Sequence, residues 1–112
     1  MSTDTLSWTA VCAADDILPD TGVCALVGER HVAIFRVGSD AFFAIDNVDP
    51  KSGASVIARG LVGSLGGRTV VASPLYKQHL DLRTGECLED PAWSVSAHGV
   101  EVRAGQVWVQ LT

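Results

Sequence analysis

Three imidazoles and three thiols are the residues of this chain most suited by type to holding a metal or moving protons: His31, His79 and His98, with Cys12, Cys24 and Cys87. Their spacing argues against a site. No Cys-x-x-Cys or His-x-x-x-His pair occurs, and metal sites usually draw two ligands from one such short segment. The histidines therefore read as strand-surface or hydrogen-bonded residues. Three cysteines far apart fit no disulfide framework and suit a reducing compartment. The expectation is free thiols, mostly buried as small hydrophobes. Ser73 is a nucleophile by type, but no Gly-x-Ser-x-Gly elbow surrounds it. Gly60, Gly63, Gly66 and Gly67 resemble a phosphate cradle, yet no helical pattern follows to present oriented amides, so hairpin turn chemistry is the better reading. No catalytic or metal-binding residue is assigned.

The elements that must position any site are strands. Apolar residues alternate with period two, or form short β-branched runs bounded by glycine, and no window of a dozen residues sustains helical periodicity. Strands are expected at residues 8–12, 22–27, 31–37, 41–45, 59–62, 69–72, 79–82, 86–88, 94–97, 99–103 and 106–110. Turn residues separate many of them, among them Gly38-Ser39-Asp40, Gly66-Gly67 and Ala104-Gly105. The fold class is all-β, in two or three small antiparallel sheets. One helical turn is expected at residues 14–18, stopped by Pro19. Trp8, Trp93 and Trp108 read as sheet-packing residues, with Trp93, beside Pro91, the one best placed for an interface.

Length and charge bound the function. The 112 residues suit one domain, 1–112, of which 47% are apolar and 19% charged. Runs such as residues 23–27 fall far short of the ~20 apolar residues a spanning helix needs. Residues 1–5 carry neither basic residues nor an apolar stretch behind them, so no secretory signal and a cytoplasmic location are expected. The net charge is −5 with basic residues scattered singly, whereas nucleic-acid binding needs a clustered positive face.

Two long irregular segments remain, and loops on a tight β scaffold are where function usually sits. The first reads Ala44-Ile45-Asp46-Asn47-Val48-Asp49-Pro50-Lys51-Ser52-Gly53-Ala54, and the second Val71-Ala72-Ser73-Pro74-Leu75-Tyr76-Lys77-Gln78-His79. Both resemble the cluster-binding loops of Rieske ferredoxins, Cys-Pro-His in the first and Cys-Pro-x-His in the second. The resemblance implies a Rieske-like fold. On this sequence the ligand positions fall on Asp49, Lys51, Ser73 and Tyr76. A Rieske centre needs two thiolates on one iron and two imidazoles on the other. A protonated hydroxyl is a poor substitute, an ammonium has no lone pair to give, and one carboxylate does not make a site. A bound cluster, and with it an autonomous electron carrier, is not expected.

The second loop and its continuation, Asp81-Leu82-Arg83-Thr84-Gly85-Glu86-Cys87-Leu88-Glu89-Asp90-Pro91, together with Gly22-Val23-Cys24-Ala25-Leu26-Val27-Gly28 and Ala44-Ile45-Asp46-Asn47, are similar to the small subunit of assimilatory NAD(P)H-dependent nitrite reductase. That family typically lacks the cluster ligands. The resemblance implies a non-catalytic accessory subunit, holding no cofactor, whose large catalytic partner binds FAD, siroheme and an iron–sulfur cluster and carries electrons from NAD(P)H to nitrite, giving ammonia. The alternative is a regulatory or scaffolding module for another redox enzyme, since a β fold does not name its partner.

Lys51, Tyr76, Lys77 and Gln78 lie at the loop tips, where a Rieske protein meets its partner. One expectation is that this tip, with Asp49 and Ser73, docks the catalytic subunit. The other is that Asp49 and Lys51 form a local ion pair that merely holds the loops together.

Overall fold

The computed structural model describes residues 7–112; the readings made on residues 1–5 lie outside it. Among the described residues nine strands form two antiparallel sheets: β1 (Thr9–Ala13), β2 (Thr21–Val27), β3 (Arg30–Val37), β4 (Ala41–Asp46), β5 (Leu61–Leu65), β6 (Arg68–Ala72), β7 (His79–Asp81), β8 (Ala97–Arg103) and β9 (Gln106–Gln110). The larger sheet runs β1-β9-β8-β4-β3-β2, and the smaller β5-β6-β7. The all-β expectation of two or three antiparallel sheets holds. The larger sheet curls until β1 approaches β2. Among the described residues no helix is long and apolar enough to cross a membrane.

β3 shows why the pattern folds this way. Its Val32, Ala33, Ile34 and Phe35 are all buried, and successive side chains point to opposite faces. Val32 and Ile34 enter one core with Ile17, Val27, Ala44, Val107 and Val109, inside the curl of the larger sheet. Ala33 and Phe35 enter a second with Ile45, Ile57, Val71, Leu80, Leu82 and Cys87, between the two sheets. The second core ties the small sheet, and the loop it carries, to the large one.

Turn chemistry accounts for the connections. Gly66 and Gly67, with φ of +59° and +78°, close the β5–β6 hairpin as a type I′ turn requires. Of the glycine-rich stretch only Gly66 and Gly67 are hairpin chemistry; Gly60 ends the 3₁₀ turn before β5, and Gly63 lies within β5. The helical turn expected at residues 14–18 is a 3₁₀ turn at Ala14–Asp16.

Three expected strands differ. Residues 57–60 are spent on a 3₁₀ turn, with Arg59 N–H donating to Val56 and Gly60 N–H to Ile57, so β5 starts at Leu61 rather than 59 and runs on to Leu65. Residues 86–88 make a single bridge, Leu80 to Cys87, because Gly85 at φ +80° turns the chain away on one side and the Cys87 amide is taken by Ser94 Oγ on the other. Residues 94–96 are extended but spend their hydrogen bonds on Pro91, Gly85 and Asp46. Trp8 likewise precedes β1, and Trp93 lies in a 3₁₀ turn, half-buried against the second core.

Candidate functional site

The two loops meet at one end of the molecule: residues 47–56 between β4 and β5, and residues 73–78 between β6 and β7. The first is organised by Asn47, fully buried. Its amide nitrogen donates to Ser55 Oγ at 2.7 Å, its Oδ1 accepts from the Ala58 amide at 2.7 Å, and its carbonyl accepts from the Val56 and Ile57 amides. Asp49 N–H donates to the Ala54 carbonyl, and Gly53 at φ +79° closes the turn onto the Asp49 carbonyl. The second loop is a tight turn in which Ser73 and Gln78 pair by backbone, and Lys77 donates to the Ser73 carbonyl from a left-handed φ of +59°.

Across the gap between the loops, the four positions that correspond to Rieske ligands are joined in two pairs. Asp49 Oδ2 accepts from the Ser73 hydroxyl at 2.7 Å, and Lys51 Nζ lies 4.6 Å from the centroid of the Tyr76 ring. In a Rieske centre the two thiolates share one iron and the two imidazoles the other. Here the two thiolate positions are hydrogen-bonded to each other, and the two imidazole positions are stacked cation on π face. Asp49 Oδ1 also accepts from the Lys51 amide at 2.8 Å and from Gln78 Nε2 at 3.2 Å.

This donor set does not fit a [2Fe-2S] cluster. It offers neither thiolate nor imidazole, and the single carboxylate has both oxygens occupied by hydrogen bonds to Ser73, Lys51 and Gln78. Elsewhere, no group of three His, Cys, Asp or Glu side chains suited to a metal occurs among the described residues.

Two expectations about the tip are corrected. Asp49 and Lys51 are not an ion pair: the carboxylate takes the Lys51 backbone amide while the ammonium turns to Tyr76. Burial explains the split, since Asp49 is 0% exposed and facing it there would desolvate the lysine. Gln78 is not a tip residue available to a partner either. It is only 7% exposed, and its amide belongs to the Asp49 network. Lys51, Tyr76 and Lys77 are exposed, as are Leu75, Pro50 and Pro74 around them.

The histidines are structural. His98, with its ring wholly buried, donates from Nε2 to Asp46 at 2.8 Å and accepts the Thr112 amide at Nδ1, tying β8 to β4. Asp46 also takes Arg30 at 2.7 Å. Burial works against its ionised form, but His98, Arg30 and the Ser96 amide outweigh it and lower its pKa. His79 pairs with Glu89, and His31 with Ser55. The thiols are all free, yet only Cys87 is buried; Cys12 is half-buried and Cys24 exposed, because Cys24 points outward from β2. Asn47 as the organiser of the first loop carried no sequence signal beyond its place at the end of a strand.

Residues 7–110 match the family of Rieske-like [2Fe-2S] domains. The nitrite reductase (NADH) small subunit of Escherichia coli K12 is 50% identical over 101 residues, covering 89% of this chain and 94% of its own. The nitrite reductase [NAD(P)H] small subunit of Erwinia carotovora has a structure superposing with a TM-score of 0.82 at 49% identity, over 94% of this chain and 82% of that one. The nitrite reductase [NAD(P)H] large subunit of Klebsiella oxytoca is 45% identical over 102 residues, which make up 91% of this chain but 11% of that polypeptide. By sequence and by architecture, the chain belongs to the Rieske-like [2Fe-2S] domain family and, within it, to the nitrite reductase small subunits.

Proposed function

We propose that this chain, a single domain of residues 1–112, is the accessory small subunit of a cytoplasmic NAD(P)H-dependent nitrite reductase that reduces nitrite to ammonia in nitrate assimilation. In this reading the chain is non-catalytic. FAD, siroheme, an iron–sulfur cluster and the nicotinamide site belong to the large catalytic subunit, because redox chemistry requires a cofactor and this chain's ligand positions are turned on one another. The observation that carries the reading is that the four ligand positions are filled by residues that bind one another, Asp49 to Ser73 and Lys51 to Tyr76, and offer iron neither thiolate nor imidazole. The Klebsiella oxytoca relative, in which a segment like this chain forms part of a large-subunit polypeptide, supports a partner of that kind.

The tip docks that partner. Lys51 and Lys77 are the exposed charged residues of segments 47–56 and 73–78, on a chain whose net charge is −5. They flank Tyr76, 52% exposed, and Leu75, 49% exposed. An exposed aromatic with an aliphatic neighbour, rimmed by cations, fits an apolar depression edged by carboxylates. The test is a pull-down of tagged chain from nitrate-grown cells, with the eluate assayed for nicotinamide-dependent nitrite reduction. Recovery of a large flavin and siroheme protein, lost in the Lys51→Ala/Tyr76→Ala/Lys77→Ala variant and weakened by salt, is the expected result. Unchanged recovery by the triple variant would sink the docking reading, and recovery of an unrelated enzyme the subunit reading.

A further inference from the structure

A sheet edge is a row of unpaired amides and carbonyls, and proteins blunt such edges with bulges, charges, proline or a covering segment. Among the described residues, three of the four edges are blunted or flanked. β1 is bulged between Ala10 and Cys12. β2 lies against β1 across the curl of the larger sheet and packs beside the Ile57–Arg59 turn. β7 is covered by the following segment, where Asp81 N–H donates to Glu86 and Leu88 N–H to the His79 carbonyl.

β5 has none of these among the described residues. Its register with β6 is unbroken over five pairs, from Leu61 opposite Ala72 to Leu65 opposite Arg68. Its sequence, Leu61-Val62-Gly63-Ser64-Leu65, contains neither charge nor proline. Val62 faces the second core, while the alternate face carries Leu61, 79% exposed, and Leu65, 44% exposed, on either side of Gly63. An added Cβ at Gly63 would meet nothing within 4 Å, so the floor between the two leucines is open.

This edge adjoins the loop tip. Leu61 pairs with Ala72, the residue before Ser73, and so places the start of the edge beside the second loop. A partner seated on Tyr76 and Leu75 lies next to it.

We propose that β5 is a strand-addition site: an extended segment of the large subunit, aliphatic at alternate positions, pairs with its free edge and adds a fourth strand to the β5-β6-β7 sheet. The inference rests on the subunit reading above and extends it from a tip contact to a backbone-paired interface. Main-chain hydrogen bonds then supply affinity, and the open floor at Gly63 between Leu61 and Leu65 supplies side-chain selectivity. Contiguity with the cationic tip assigns the occupant to the large subunit rather than to a second copy of this chain.

The experiment is hydrogen–deuterium exchange on the wild-type chain, alone and with purified large subunit, together with the affinity of Leu61→Lys/Leu65→Lys. Both leucines are exposed, so the double variant is expected to fold as the parent does, which its unfolding curve checks. The expected result is exchange slowed at least about tenfold across residues 61–65 in the complex, and binding weakened about tenfold or more by the lysines. Protection confined to residues 47–56 and 73–78, with the lysine variant binding normally, overturns the strand-addition site and leaves the tip reading standing. Protection of β5 in the free chain that grows with its own concentration assigns the edge to a second copy and also overturns it. A large subunit that fails to bind the wild-type chain overturns both readings together.

Discussion

Replacing Asp49 by alanine removes the acceptor on which both loops converge. The Ser73 hydroxyl and the Gln78 amide, in residues 1% and 7% exposed, lose their partner in a place water does not reach. An orphaned buried donor costs about 1–3 kcal/mol, so the two together come to about 2–6 kcal/mol. The Lys51 amide lies nearer the surface and can turn to solvent. Removing a buried carboxylate returns part of the cost, because its desolvation penalty disappears as well. The net expectation is a loss of about 3 kcal/mol, a large share of the roughly 5–15 kcal/mol that holds a domain of this size. Asp49→Asn keeps one carbonyl oxygen for Lys51 and Gln78 and presents an amide that a rotated Ser73 hydroxyl can accept, so it should cost only about 1 kcal/mol. Combining Asp49→Ala with Ser73→Ala closes a double-mutant cycle, and direct partners should couple by about 1–2 kcal/mol. Urea unfolding followed by the fluorescence of Trp8, Trp93 and Trp108 reads all five proteins (parent, three single variants and the double), with an unchanged slope certifying the comparison. A loss below about 1 kcal/mol for Asp49→Ala, or a coupling indistinguishable from zero, would refute the claim that this carboxylate staples the loops.

Acid should destabilise the fold through Asp81 and Asp46. At Asp81 burial opposes ionisation, but Arg68 at 2.7 Å and the Arg83 and Thr84 amides outweigh it, and the pKa falls below its ordinary 3.8. A carboxyl with a depressed folded pKa contributes stability above its unfolded value and loses it as pH drops through the folded one. Stability should therefore fall below about pH 4, and Asp81→Asn should flatten that decline in urea midpoints measured from about pH 5 to 2; an equally steep variant contradicts it. Titration with an aromatic disulfide reagent should find one fast thiol, Cys24, and a slow Cys12, whose pKa burial and the Asp16 carboxylate push upward; a fast phase that survives Cys24→Ser refutes the assignment. Gly85→Ala should cost more than about 3 kcal/mol, since φ is +80° and the new Cβ would sit 2.1 Å from the Val95 carbonyl oxygen. Gly67→Ala, at φ +78° in open space, should cost only about 1 kcal/mol, and thermal unfolding of the two separates crowding from backbone conformation.

The strands of the larger sheet were legible because alternation marks a strand buried on one face, as in β9, and a short β-branched run marks one buried on both, as in β3. β2, β3, β4 and β9 lie within a residue or two of their expected bounds. Residues 86–88 and 94–96 read as strands too but lack the ladder, because what decides there is the positive φ of Gly85 and the hydroxyl of Ser94, which occupies the Cys87 amide. Such tertiary choices leave no period in the sequence. The candidate site divided in the same way. Which residues occupy the ligand positions could be read from the two loops. How they pair could not: adjacency in sequence suggested Asp49 with Lys51, whereas the contacts run between loops, Asp49 to Ser73 and Lys51 to Tyr76. Gln78 looked like a surface amide until its burial beside Asp49 was seen, since a glutamine carries no sequence mark of which way it faces.

A domain whose loops are closed by a coordinated metal has a folding free energy that depends on the chemical potential of that metal and on the redox poise that keeps its ligands competent. Loops closed by Asp49–Ser73 and Lys51–Tyr76 carry neither dependence, since a hydrogen bond and a cation–π contact use no metal and no thiolate. In the assembly proposed here, the supply of this subunit is therefore uncoupled from iron and sulfide. In that assembly, iron shortage would leave the folding of this subunit unaffected.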